Sequence, residues 1–243
     1  MNVRPRAPGL VSFAERLLGA LLFLGRRRRA EGELAAAFPA LDANARVAIA
    51  RRSAELQARL GRERFPTRDA VRLCRDLALD GSEALQRLRA HPPAATAAFT
   101  AACGAPALAA RALRLYGGDP LRVVHLLPPS GSSGATARVP DTNRGATFEF
   151  LGRTIHCATD WLPPEATLLF PVFGLLAPRR RLRVLFEPPF EARGAEPATR
   201  AALAAIERVV RAHPEAWPWG ARPQDSLRRL PLRSDARSRR SNG

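Results

Sequence analysis

Lysine is absent from this chain: all 39 basic side chains are arginine, set against 22 acidic ones for a formal charge of +17. Cysteine is scarce, with only Cys74, Cys103 and Cys157, odd in number and far apart. No Cys-x-x-Cys pair or Cys/His cluster occurs, so no metal site is expected and the thiols read as reduced groups of a cytoplasmic protein. There is also no apolar run of the roughly 20 residues that a membrane-spanning helix needs. The nearest approach, Leu10 to Leu24, is broken by Ser12, Glu15, Arg16 and Gly19. A secretory leader does not fit either, because Arg26 to Arg29 stand where a small-residue cleavage site belongs.

What is present is ample apolar material, 46% of 243 residues, enough for one domain or at most two. The arginine excess is concentrated at the ends. Residues 1–30 carry seven Arg against Glu15, and residues 227–243 carry six against Asp235. Arginine's fixed charge and planar fork suit phosphate groups. Near the amino terminus Phe13, Leu17, Leu21 and Leu24 recur at helical spacing, while Ser12, Glu15 and Arg16 form a polar strip. An apolar face followed at once by Arg26, Arg27, Arg28 and Arg29 predicts an interfacial helix whose arginines meet anionic headgroups. The plainer alternative is a first helix packed on the domain with its arginines solvated.

Local patterns then predict the body. Helices are expected over Ala43 to Leu60, with Ile49, Ser53, Leu56 and Leu60 on one face, and from Thr67 through Leu79. A shorter helix starts at Gly81-Ser82. Ala94 to Thr100 reads as an alanine-weakened strand, Ala105 to Leu115 as a helix and Leu121 to Leu127 as a strand. Residues 128–134 read as a flexible loop. Short strands follow at Thr147 to Leu151, Arg153 to Ala158, Thr167 to Phe173 and Leu182 to Glu187, then a helix over Pro197 to Ala212. Strand, turn, helix, strand argues for an α/β fold: a largely parallel central sheet flanked by helices, with an amino-terminal helical segment. The expected organisation is an amphipathic membrane-associating segment over 1–40, an α/β domain over 41–222 and a basic disordered tail over 223–243.

Several blocks, in order, give the chain a family likeness. Arg26 to Arg29, Glu33-Leu34 and Phe38-Pro39-Ala40-Leu41 come first. Phe148, Phe150, Leu151, Gly152 and Arg153 follow, then Pro171-Val172-Phe173. Thr199, Ile206, Pro214-Glu215-Ala216-Trp217-Pro218-Trp219 and Arg222 close the series. Together these resemble the bacterial lipid A biosynthesis acyltransferases, of the lauroyl and myristoyl transferase type. The resemblance implies fatty acyl transfer from acyl carrier protein to a lipid hydroxyl, with no metal or cofactor. It also implies peripheral attachment at the cytoplasmic face of the inner membrane.

The chain departs from that family where its chemistry sits. The family's His-x-Gly-x-x-Glu falls on Ala102, Gly104 and Ala107. A histidine there would act as general base on the acceptor hydroxyl and the acid would orient it; alanine does neither. The stretch from His125 to Asp141 is shorter than the family's, and Glu33 replaces an Asn. None of the four histidines has an acid five positions later. His156 and Asp160, four apart, share one face of a predicted strand without a hydroxyl-binding context. Cys103 precedes a helix start but reads as a small buried thiol, and Trp217 and Trp219 read as anchors. No catalytic residue is assigned. The resemblance thus predicts a degenerate acyltransferase, impaired or inactive. The alternative is a non-catalytic membrane protein that binds lipid or acyl carrier protein, beside an active paralogue. A nucleic-acid role finds no support, because the arginines are not interleaved with aromatics and no binding motif accompanies them.

Overall fold

A computed structural model describes residues 8–62, 78–90, 95–101, 103–106, 109–110, 112–113, 122–126, 145–159, 161–162, 165–176 and 182–221. Two helices open the chain. Helix α1 runs over Pro8–Ala37. Helix α2 (Ala43–Arg62) is capped by Asp42, whose carboxylate accepts the Ala45 N–H at 2.7 Å. The turn between them lets α2 fold back along α1. Gly19 makes the approach close: a Cβ there would lie 2.9 Å from the Glu55 Cα.

The sheet is mixed, giving the protein α/β character. Its strands are β1 (Ala78–Asp80), β2 (Thr96–Ala101), β3 (Arg122–Leu126), β6 (Leu168–Leu176), β7 (Leu182–Phe186) and β8 (Phe190–Glu191), while β4 (Gly145–Phe150) and β5 (Arg153–Ala158) form a separate antiparallel hairpin. The order is β1-β7-β6-β2-β3. β2 runs parallel to both β3 and β6, and β1 parallel to β7, whereas β6–β7 and β6–β8 are antiparallel. Helix α3 (Ser82–Ala90) follows β1, and helix α4 (Ala195–Ala212) follows β8.

The alternation of side chains along the central strands divides the core in two. Ala97, Phe99 and Ala101 of β2, with Leu169, Phe173 and Leu175 of β6, face one side, where they join α4 and the ends of α1 and α2. Ala98, Phe170 and Val172 face the other, meeting Ala84 and Leu88 of α3 and the helical residues Ala109, Ala112 and Leu113. Phe99 is the hub of the first side, with Trp161, Phe173 and Phe190 rings edge-on to it at 6.0, 6.3 and 5.8 Å.

Most expected elements are in place, with their boundaries adjusted. One differs in kind. Ala78 and Leu79, read as the end of a helix, lie in the edge strand β1, where they pair with Arg183 and Val184 of β7; the rest of that predicted helix lies outside the described residues. β8 was missed because two residues after Pro188-Pro189 are too few to show alternation. The loop at 128–134 and the tail at 223–243 also lie outside the described residues.

Candidate functional site

Two places bear on function: the turn after β2, where the resemblance puts its chemistry, and the surface of α1. β2 is buried along its whole length and lies between two parallel neighbours. Ligands of α/β sheets bind beyond the carboxyl ends of such strands. Beyond Ala101 the chain turns through Cys103 and Gly104. Gly104 has φ +63°, a conformation that favours glycine, and a Cβ there would run into the Gly174 carbonyl. Its N–H donates to Ala216 O at 2.8 Å, and the Ala105 N–H donates to Gly174 O at 2.6 Å. Gly104 is therefore required by backbone packing alone. Ala102 and Ala107 lie outside the described residues.

The reactive groups nearby are subdued. Cys103 is fully buried, and burial, with the Glu215 carboxylate adding to it, pushes its thiol up to about 12. Such a thiol stays protonated and is a poor nucleophile at neutral pH. Cys157 is half-buried, and burial raises it as well. His156 lies opposite Thr147 in the β4–β5 hairpin, and Asp160 lies outside the described residues. The Thr100 hydroxyl, at the carboxyl end of β2, is buried with no hydrogen-bond partner. Among the described residues no group of three or more His, Cys, Asp or Glu side chains is placed to hold a metal.

Of the other blocks of the resemblance, Glu33-Leu34, Phe38, Phe150 to Gly152 and Trp217 to Trp219 meet at one junction between α1 and the body, while Pro171-Val172-Phe173 lies in the central strand β6 and Arg222 lies outside the described residues. Phe38 packs edge-on against Trp219 at 6.0 Å, and the Phe150 ring lies tilted against Trp217 at 5.5 Å. Trp217 and Trp219 are both buried, and the Trp219 Nε1–H donates to Pro214 O at 2.6 Å. Glu33, the residue in place of Asn, accepts the Gly220 N–H at 2.7 Å and pairs with Arg29 at 3.0 Å. Leu151 and Gly152 turn the β4–β5 hairpin, with φ +70° at Gly152 and the Ala36 carbonyl where a Cβ would sit. Thr199 accepts the Trp161 indole N–H at 2.8 Å. These residues do packing work.

No family model matches the chain, and no curated protein does.

Sequence reasoning missed several members of the junction. Ser53 of α2, buried, donates its hydroxyl to Trp217 O. Arg211 of α4 donates to Ala37 O at 3.1 Å, satisfying an end carbonyl of α1, and lies over the Phe38 ring. Gly174 is the partner that Gly104 needs. A glycine inside the apolar run of β6 was the available signal, since it marks close approach of another backbone.

Arg26, Arg27, Arg28 and Arg29 all lie within α1. Arg27 pairs with Glu31 at 2.7 Å, one turn on. Just before them Leu17, Leu21 and Leu24 are 54, 59 and 67% exposed, the large apolar side chains most open to solvent among the residues whose side chains are described. Their helical spacing makes them a continuous stripe. No helix among the described residues is long and apolar enough to cross a membrane.

Proposed function

We propose that this protein works at a membrane surface, as an acyltransferase-like α/β protein that binds lipid and lacks the family's acyl-transfer chemistry. The observation that carries the reading is the bare leucine stripe of α1 running into four arginines. A helix of a water-soluble body normally turns its apolar face inward. α1 does so with Ala30, Leu34 and Ala37, yet leaves Leu17, Leu21 and Leu24 in solvent. An apolar stripe beside a basic cluster is the design of helices that lie in the headgroup region.

The rest of the proposal leans on the sequence resemblance. The parallel trio β3-β2-β6 supports viewing the sheet as the largely parallel core of a lipid A acyltransferase-like fold. Alanine at 102 and 107 removes the general base and its orienting acid. The location proposed is the cytoplasmic face of the bacterial inner membrane, with membrane lipid as the ligand. Acyl carrier protein and an active paralogue are the proposed protein partners.

Two assays test this. In the first, the protein floats with vesicles containing anionic phospholipid and floats less well with zwitterionic ones; failure to float with either removes the membrane reading. The second measures acyl transfer from acyl carrier protein to a lipid A precursor by the natural chain and by an Ala102→His/Ala107→Glu variant. The natural chain is expected to be silent, and its turnover would show that another residue serves as base. Turnover by the variant alone would show a working pocket that lacks only its dyad.

A further inference from the structure

Four consecutive arginines on a helix do not share one face, because each residue turns the side chain by about 100°. Leu17, Leu21, Leu24 and Arg28 fall within about 60° of one another around the axis, and all four are exposed. Arg26 lies on the opposite side. It faces the body, since a Cβ on Gly220 would come within 2.8 Å of the Arg26 carbonyl and 3.1 Å of its Cβ. Buried Ala30 and Ala37 line that same inner side. Arg27 and Arg29 point to the flanks, where Glu31 and Glu33 hold them. Arg28 has no ion pair among the described residues.

Resting on the membrane-surface reading, we propose that Arg28 is the single phosphate-reading residue of this helix. α1 lies along the bilayer with Leu17, Leu21 and Leu24 in the apolar boundary and the Arg28 guanidinium on the phosphates of anionic lipids. The charge complementarity is specific to that face. A leucine stripe alone would fit a second helix equally well, but an unpaired arginine in line with it fits an anionic surface. Arg27 and Arg29 contribute less because their charge is offset by Glu31 and Glu33, and Arg26 because it stands across the helix. A helix is about 10–12 Å in diameter, and at physiological salt a charge that far off is largely screened by a Debye length of about 8 Å. The outer face beyond Arg28 is Glu31, Gly32 and Ala35, so the apolar stripe ends where the arginine stands.

The experiment is vesicle flotation of the full chain at about 0.15 M salt, on vesicles of phosphatidylethanolamine with phosphatidylglycerol and of phosphatidylcholine alone. Arg28→Gln is expected to lower anionic-vesicle affinity about fivefold, the effect of one surface arginine at a charged leaflet. The charge-balanced Arg27→Gln/Glu31→Gln variant is expected to stay within about twofold of the natural chain. Equal losses in both would overturn the assignment of Arg28 while leaving the membrane reading intact. A natural chain that ignores both vesicles but sediments as a dimer would overturn both, and would make the stripe a contact between two copies. Thermal unfolding of each variant, expected to be unchanged because the substituted groups are exposed, guards against a folding artefact.

Discussion

Within the single helix α1, Leu34 has no exposed surface and Leu21 is 59% exposed, although both are leucines thirteen residues apart. The difference lies in what the body supplies at each height. Around Leu34 the helix meets α2, α4, the tip of the β4–β5 hairpin and the Trp217–Gly220 turn, with Gly152 against Ala36, Glu33 accepting the Gly220 N–H and Arg211 of α4 donating to Ala37 O. Near Leu21 the inner side is covered by α2, with Gly19 against Glu55 and Phe23 packed on the core. The outer side has nothing across it among the described residues. The stretch from Leu17 to Leu24 is thus apolar on two faces and has a partner for one, a pattern that suits an interface between water and lipid.

The largest effect should come from the buried end. Leu34→Ala removes a side chain that is fully enclosed, which costs about 2–5 kcal/mol by lost transfer energy and residual cavity. Urea denaturation followed by circular dichroism measures it. A cost below about 1 kcal/mol, the range of surface changes, would mean that the carboxyl half of α1 is not part of the core, and the contrast within the helix would vanish.

A middle effect tests the clasp that holds the junction. Ser53→Ala deletes the hydroxyl that donates to Trp217 O; that carbonyl keeps the Trp219 N–H at 2.9 Å, so the loss should be about 0.5–1.5 kcal/mol, the net worth of one hydrogen bond. Ser53→Thr keeps the donor and should recover part of the loss. If Thr does no better than Ala, the contribution of Ser53 is its small size between α2 and the turn rather than its hydrogen bond.

How much of this was legible in the sequence depends on the reach of each interaction. Helix α2 was readable because Asp42 and the Ile49, Ser53, Leu56, Leu60 spacing act within a turn or two. The strands β4 to β7 were readable from alternation and their Gly and Pro boundaries. β1 was not, because three residues gain their identity from Arg183, Val184 and Leu185, about a hundred positions away. The site divides in the same way. The leucine stripe and the arginine run were visible as spacing, but the division of the four arginines among solvent, flanking carboxylates and body needed the position of Gly220. Gly104 shows a further limit. The resemblance placed it in a motif whose catalytic residues are missing here, and the positive φ and the contact with Gly174 account for it.

The smallest effect on folding should fall on the exposed stripe, and there stability and membrane affinity should part company. Leu21→Ser replaces a side chain already mostly in water, so the unfolding free energy should move by no more than about 0.5 kcal/mol. If the bilayer covers Leu21, the same change forfeits up to about 1.5–3 kcal/mol of burial, and vesicle affinity falls about tenfold or more. Affinity should fall on anionic and zwitterionic vesicles alike, because the lost term is apolar; loss of Arg28 should be felt on anionic vesicles alone. A Leu21→Ser protein whose melting point drops by many degrees would show the stripe packed against the protein itself. The two halves of α1 would then differ in degree of burial and not in the medium they face.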